Sequence, residues 1–67
     1  MEKRYVLKVG NYYLSEIMIL DEKLIRFLID DDYRKLYDDF EQAEEDRKLI
    51  YIETGLNLEV KLFKRED

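Results

Sequence analysis

Gly10 and Gly55 are the only glycines in a 67-residue chain that contains no proline. The backbone therefore has few places where it can reverse or stop without strain. The two glycines separate stretches of different periodicity. Before Gly10, Tyr5, Leu7 and Val9 alternate with Arg4 and Lys8, the period-two pattern of a strand. Gly10-Asn11 suits a two-residue hairpin turn, because both residue types accept positive φ. A second strand is expected over about Tyr12 to Leu20, with Asp21-Glu22 turning the chain again. Lys23 to Ile29 reads as a third strand, with Ile25, Phe27 and Ile29 on one face and Leu24 and Leu28 on the other. Leu14, Ile17, Met18, Leu24, Ile25 and Leu28 also satisfy helical spacing in places. The β-branched and aromatic content tilts these segments towards strand.

The central segment has another rhythm. Tyr33, Leu36, Tyr37, Phe40, Ala43, Arg47, Ile50 and Tyr51 recur at three- and four-residue intervals, which predicts an amphipathic helix. Asp39 followed by Gln42 has the spacing of a capping box, and Asp32 offers an earlier start. Acids crowd the front of the segment while Arg47 and Lys48 come late, in keeping with the helix dipole. Gly55 is a natural C′ stop. The helix is thus predicted to end near Glu53 and to begin near either Asp32 or Asp39. Beyond Gly55, Leu56, Leu58, Val60 and Leu62 alternate with Asn57, Glu59 and Lys61, the clearest strand pattern in the chain. The tail from Lys64 to Asp67 is polar and expected to fray. Residues 1–67 are read as one α+β domain of order β-β-β-α-β, a small antiparallel-rich sheet with one helix packed on one face.

A domain of this size buries only about 60 % of its unfolded surface. With no Cys and no His, it cannot gain stability from disulfides or from a thiolate–imidazole zinc site. Six Tyr and three Phe supply large burial per residue instead. No apolar run approaches the ~20 residues of a membrane-spanning helix. The opening MEKRYVLKVG lacks a long apolar region and a small-residue cleavage site, so no secretory signal is expected and the cytoplasm is the expected compartment.

Charge is unevenly placed. Twelve Lys and Arg against seventeen Asp and Glu give a net charge of −5. Residues 30–46 hold nine of the acids and two of the bases, a sum of −7, which leaves +2 on the rest. That balance argues against direct nucleic-acid binding by counterion release. Catalysis is not expected either. The ordinary general base and the strongest nucleophile are missing, and Ser15 and Thr54, the only Ser and Thr, lie in no nucleophile-elbow context. Paired carboxylates could hydrolyse glycosides only in a cleft that so short a chain rarely supplies. Asp30-Asp31-Asp32 and Asp38-Asp39 could offer oxygen ligands, but an EF-hand loop needs alternating acids, a central Gly and a final Glu. No metal and no cofactor are expected.

Two readings of the acidic segment compete. As a solvated helix face it gains from Asp30 with Arg34, Asp31 with Lys35 and Glu44 with Lys48, each four apart and worth roughly 0.2–0.5 kcal/mol if helical. Solubility favours such a face as well. Against this, Glu41 repels Glu45, and Asp38–Glu41 and Glu41–Glu44 add like charge at three-residue spacing. As a recognition surface, carboxylates one turn apart and ~5–6 Å from each other broadly match the phosphate spacing of a nucleic-acid strand. Aromatics accompany the acids, and Tyr is enriched at interface centres. The expected partner-binding residues are Asp38, Asp39, Glu41, Glu45, Tyr33 and Tyr37. Tyr5, Tyr37 and Tyr51 also suit the core, and Tyr12 and Tyr13 must face opposite ways in a strand.

The stretches YVLKVGNYYL, DDFEQAEEDRKLI and TGLNLEVKLF resemble small uncharacterised phage and prophage proteins of Gram-positive bacteria. Those begin with a Val-Lys-Val-Gly-like hairpin, continue with a Phe before an Ala- and Glu-rich helix, and finish with a Gly-containing turn into a Glu-Val strand. The chain departs from that pattern in lacking a second small residue near Arg47 to Leu49. The resemblance implies a compact β-β-β-α-β unit and a phage setting, and no activity. The expected function is a non-enzymatic interaction protein that binds and inhibits a host or defence protein through an acidic, nucleic-acid-mimicking helix surface. The alternative is a small dimeric protein binding a nucleotide or signalling ligand between protomers through Lys8, Arg26 or Lys61; a structural phage component is a third. The segments SEIMIL and EKLIRFLI carry more apolar side chains than one sheet face can bury. A homodimer is therefore expected, with a second copy covering the face that the helix leaves open.

Overall fold

The computed structural model describes residues 3–64, so the tail from residue 65 onwards lies outside the described residues. Strands β1 (Arg4–Val9), β2 (Tyr12–Leu20), β3 (Lys23–Asp30) and β4 (Glu59–Phe63) form one antiparallel sheet in the order β3-β2-β1-β4. Helix α1 (Phe40–Thr54) packs across one face. The α+β class and the β-β-β-α-β order stand as the periodicity predicts, and residues 23–30 are strand rather than helix.

The turns follow from local chemistry. Gly10 takes φ 58° between β1 and β2, a conformation that costs glycine little. Between β2 and β3, Asp21 and Glu22 both have positive φ, 51° and 63°, so this hairpin takes a primed turn without the glycine such turns prefer. The β2–β3 ribbon carries two compensating irregularities. Ser15 is an extra residue in β2, between the pairs Leu14↔Ile29 and Glu16↔Leu28; Ile25 is an extra residue in β3, between Met18↔Arg26 and Ile19↔Leu24. A bulge inverts the alternation that follows it. Leu24, Phe27 and Ile29 therefore share the inner face with Leu14 and Ile17, while Ile25 joins Leu28 outside. This corrects the simple alternation expected of β3.

The core lies between the sheet's inner face and α1. Leu7, Leu14, Tyr37, Ala43, Ile50 and Leu58 are its buried members, and each fully buried Leu or Ile contributes about 1.5–3 kcal/mol. Leu56 and Leu58 reach this core from irregular chain, since β4 begins only at Glu59. Tyr5 packs against it, with its ring edge-on to Phe40 at 5.5 Å and 74°. Tyr51 does not, being 52 % exposed.

Strands β1 and β2 pair only at Val9↔Tyr12 and Lys8↔Tyr13, next to their turn. Beyond that they part, and the connector between β3 and α1 fills the gap. Tyr5 and Tyr37 exchange backbone hydrogen bonds of 2.8 and 2.9 Å, while the Lys35 N–H donates to the Leu14 carbonyl at 2.8 Å. The connector is thus extended chain stitched into the sheet. Its acids cannot form the helical pairs imagined for Asp30–Arg34 and Asp31–Lys35. The Arg34 guanidinium instead crosses the outer face, 4.2 Å from the Tyr13 ring centre and 5.7 Å from that of Phe63. Those rings flank Val6, which is only 3 % exposed although it faces away from the helix. The outer face of the β2–β3 ribbon is uncovered: Met18, Leu20, Ile25 and Leu28 are 45–63 % exposed.

Candidate functional site

The connector delivers Asp38 and Asp39 to the start of α1, and Asp39 is the N-cap. Its backbone is extended (φ −121°, ψ 124°) and its Oδ1 accepts the Glu41 N–H at 3.1 Å. The helix therefore begins at the later of the two expected starts. The reciprocal half of the capping box does not form, because the Gln42 side chain turns inward to Asp46. Gly55, at φ 82°, closes the helix with its N–H on the Tyr51 carbonyl at 2.9 Å. Thr54 Oγ1 donates to the Ile50 carbonyl and accepts the Leu56 N–H, while Ser15 Oγ donates to the Leu28 carbonyl. Both hydroxyls thus serve the backbone.

Asp38, Asp39, Glu41 and Glu45 are all exposed. The Asp38 side chain is 85 % exposed and pairs with Arg4 Nε at 3.3 Å. Glu41 and Glu45 follow one helical turn apart and have no ion pair among the described residues. Glu44 behaves differently. It binds Arg47 through two 3.0 Å hydrogen bonds rather than Lys48, and these hold its carboxyl below the usual glutamate range.

Behind this acidic lip is an open groove of about 470 Å³. Ile17, Ile19 and Leu36 give it apolar walls; Asp38 and Asp39 stand at its rim, with Lys35 as its one basic lining residue among the described residues. Asp46 and Tyr37 line its base, both buried at 4 % exposure. The Tyr37 hydroxyl donates to Asp46 Oδ2 at 2.6 Å and Gln42 Nε2 donates to Asp46 Oδ1 at 3.1 Å. Burial first, and then the hydrogen bond to Asp46, push the Tyr37 hydroxyl well above its ordinary pKa.

Of the six residues expected to meet a partner, the four acids form one exposed surface and the two tyrosines leave it. Tyr37 is a correction: its ring is in the core, its hydroxyl is taken by Asp46, and it sits at 4 % exposure at the base of the groove rather than on the acidic surface. Tyr33 is 73 % exposed but lines a different groove, of about 500 Å³, with Ser15, Leu28, Asp30 and Arg34. Asp46 and Gln42 are the residues that sequence reasoning missed. Ala43 and Ile50 allow the buried stripe to pass through either position 46 or 47. A long aliphatic stem favours Arg47, and Tyr37, nine residues earlier, gives no local hint that Asp46 has a buried donor. Of the cations named for a nucleotide site, Lys8 and Lys61 share the outer face near Tyr13 and Phe63, and Arg26 lies on that face two strands away. Lys61 pairs with Glu59 at 3.5 Å.

Among the described residues no group of three or more potential ligands converges to hold a metal ion, and no helix is long and apolar enough to cross a membrane. No family model, curated protein or solved structure matches this chain.

Proposed function

We propose that this is a non-enzymatic, cytoplasmic interaction protein of phage origin that inhibits a host or defence protein by occupying its basic, nucleic-acid-binding surface. The single observation carrying this reading is the pair Glu41 and Glu45. They lie one turn apart on the exposed face of α1, repel each other and have no neutralising ion pair among the described residues, beside the exposed Asp38 and Asp39. Helix stability does not select that arrangement, whereas a basic partner would relieve it. The groove behind the acids adds selectivity. Apolar walls under a carboxylate rim suit an arginine or lysine, whose aliphatic stem packs while its head pairs. Complementary charge accelerates such capture and opposes wrong partners. The resemblance to phage and prophage proteins supplies the setting.

The test is affinity capture from a bacterial lysate with the wild-type chain and with Glu41→Lys/Glu45→Lys. Asp39 is left in place because it caps the helix. The captured protein should be lost with the charge reversal, weakened by salt and released by duplex DNA. Retention by the reversed variant, or indifference to salt and DNA, refutes the proposal. Thermal stabilisation by a nucleotide panel instead would favour the ligand-binding alternative.

A further inference from the structure

The sheet has two edges of different character. β4 is short, Glu59–Phe63, and presents Glu59 and Lys61, charges of the kind that blunt an edge. β3 is longer, Lys23–Asp30, and exposes Ile25, Leu28 and Ile29 at 53, 45 and 42 %. Its charges are Lys23, Arg26 and Asp30, and Ile25 interrupts its regularity. From Arg26 to Asp30 the edge is regular and has no protein partner among the described residues.

The hydrogen-bond pattern fixes which groups that edge offers. Leu14 spends its carbonyl on Lys35, on the side away from β3. Leu14 and Ile29 are therefore a non-hydrogen-bonded pair, and the N–H and C=O of Ile29 point to the open edge. Two residues back, those of Phe27 do the same. Leu28, between them, turns its backbone to β2 and its side chain to the outer face.

We propose that β3 pairs antiparallel with β3 of a second copy, about a two-fold axis through Leu28, to make one continuous eight-stranded sheet. In this register Phe27 and Ile29 of one copy exchange backbone hydrogen bonds with Ile29 and Phe27 of the other. Leu28 faces its own symmetry mate. Arg26 stands opposite Asp30 on both sides of the axis, an opposite-charge cross-strand pair made twice. Asp30 is held ready for this, because its Oδ1 accepts the Asp32 and Tyr33 N–H groups at 2.7 and 3.1 Å. These bonds also keep its carboxyl below the usual aspartate range. Arg26 has no ion pair of its own among the described residues. Neighbouring registers fail: an axis through Phe27 sets Arg26 against Leu28 and runs Ile29 onto the bulged Ile25, and an axis through Ile29 sets Asp30 against Leu28. The occupant is a second copy because the edge is complementary to itself in charge and pattern. The proposal is independent of the acidic surface, which lies on another element.

A cysteine scan tests it cleanly, since the chain has no Cys. Leu28→Cys should form an intermolecular disulfide rapidly under mild oxidation. Non-hydrogen-bonded partners sit about 4.5 Å apart at Cα, within the range that a disulfide spans. Met18→Cys, on the same face with 52 % exposure, should not: the two β2 strands would lie about 14 Å apart, three strand spacings. In sedimentation at about 100 µM, where a dimer with a Kd of about 10 µM or tighter is mostly assembled, the wild type should approach twice the 8.3 kDa chain mass. Ile29→Pro removes a donor that has no acceptor among the described residues of its own copy, and should leave a folded monomer. A wild-type monomer at that concentration, equal cross-linking of the two cysteine variants, or a dimer that survives Ile29→Pro would each overturn the proposal. Should Ile29→Pro fail to fold, the cysteine pair still decides.

Discussion

Replacing Tyr37 by Phe removes one oxygen atom from the core and leaves every apolar contact of the ring in place. That oxygen donates the 2.6 Å hydrogen bond to Asp46 Oδ2, and Asp46 is 4 % exposed. Gln42 still reaches Oδ1 at 3.1 Å, but Oδ2 is left buried without a donor. Hydrogen bonds to charged groups contribute about 1.5–3 kcal/mol, and stranding a buried acceptor costs about as much, so Tyr37→Phe should lose about 2 kcal/mol. At about 0.05–0.15 kcal/mol per residue, a domain of this length has only about 3–10 kcal/mol in total. The corresponding fall in Tm is about 8–16 °C. Urea unfolding followed by far-UV circular dichroism, at one fixed protein concentration, should show a lower midpoint with the same slope. Repeating the substitution in an Asp46→Ala background isolates the pair. There it should cost almost nothing, giving a coupling of about 1–2 kcal/mol. A loss below about 0.5 kcal/mol, or the same loss in both backgrounds, would refute the assignment of Tyr37–Asp46 as a buried stabilising pair.

Other outcomes follow from the same geometry. Asp39→Ala should cost about 1 kcal/mol in urea unfolding, through loss of the N-cap bond to Glu41. Two of the four positive-φ sites among the described residues should respond oppositely: Gly55→Ala should destabilise by about 1 kcal/mol, since Gly55 has φ 82° with open space where a Cβ would go, so the cost is conformational. Glu22→Gly should stabilise by a few tenths to about 1 kcal/mol, because it relieves a side chain at φ 63° and creates the Asp-Gly pair that primed turns favour. Tyr37 also sets an alkaline limit. Its pKa is raised in the folded state, so its contribution is complete below about pH 10, the ordinary tyrosine value, and is lost as pH rises through the higher folded value. Stability should fall above pH 10 with a steeper slope in the wild type than in Tyr37→Phe, measured by denaturation at stepped pH.

The sequence disclosed those parts of the fold that depend on near neighbours. Gly10 and Gly55 marked turn and helix end, alternation found the four strands, and Asp39 marked one of two helix starts. Non-local parts were hidden. The bulges at Ser15 and Ile25 arise from pairing across two strands, so no single strand's alternation announces them. The earlier of the two expected helix starts, Asp32, would make Lys35 to Tyr37 helical, because Tyr33, Leu36, Tyr37 and Phe40 keep helical spacing. The segment is extended because β1 and β2 separate and need backbone partners. Of the acids of the candidate surface, Asp38, Glu41 and Glu45 were legible as charge repulsion and Asp39 as a cap, both of which depend only on spacing. The depth of Tyr37, and the burial of Asp46 that goes with it, required knowing what lay on the other side of the helix.

The stitching of the connector between β1 and β2 has a kinetic consequence. A hairpin normally zips outward from its turn within microseconds, and β2–β3 is free to do so. β1–β2 cannot, for it is held by two residue pairs and then waits for Tyr37, thirty-two positions after its partner Tyr5. β4 arrives later still and closes onto the same strand. The barrier to folding therefore contains the loop-closure entropy of these long-range pairings, and the sheet becomes one piece only when the connector and then β4 have docked on β1.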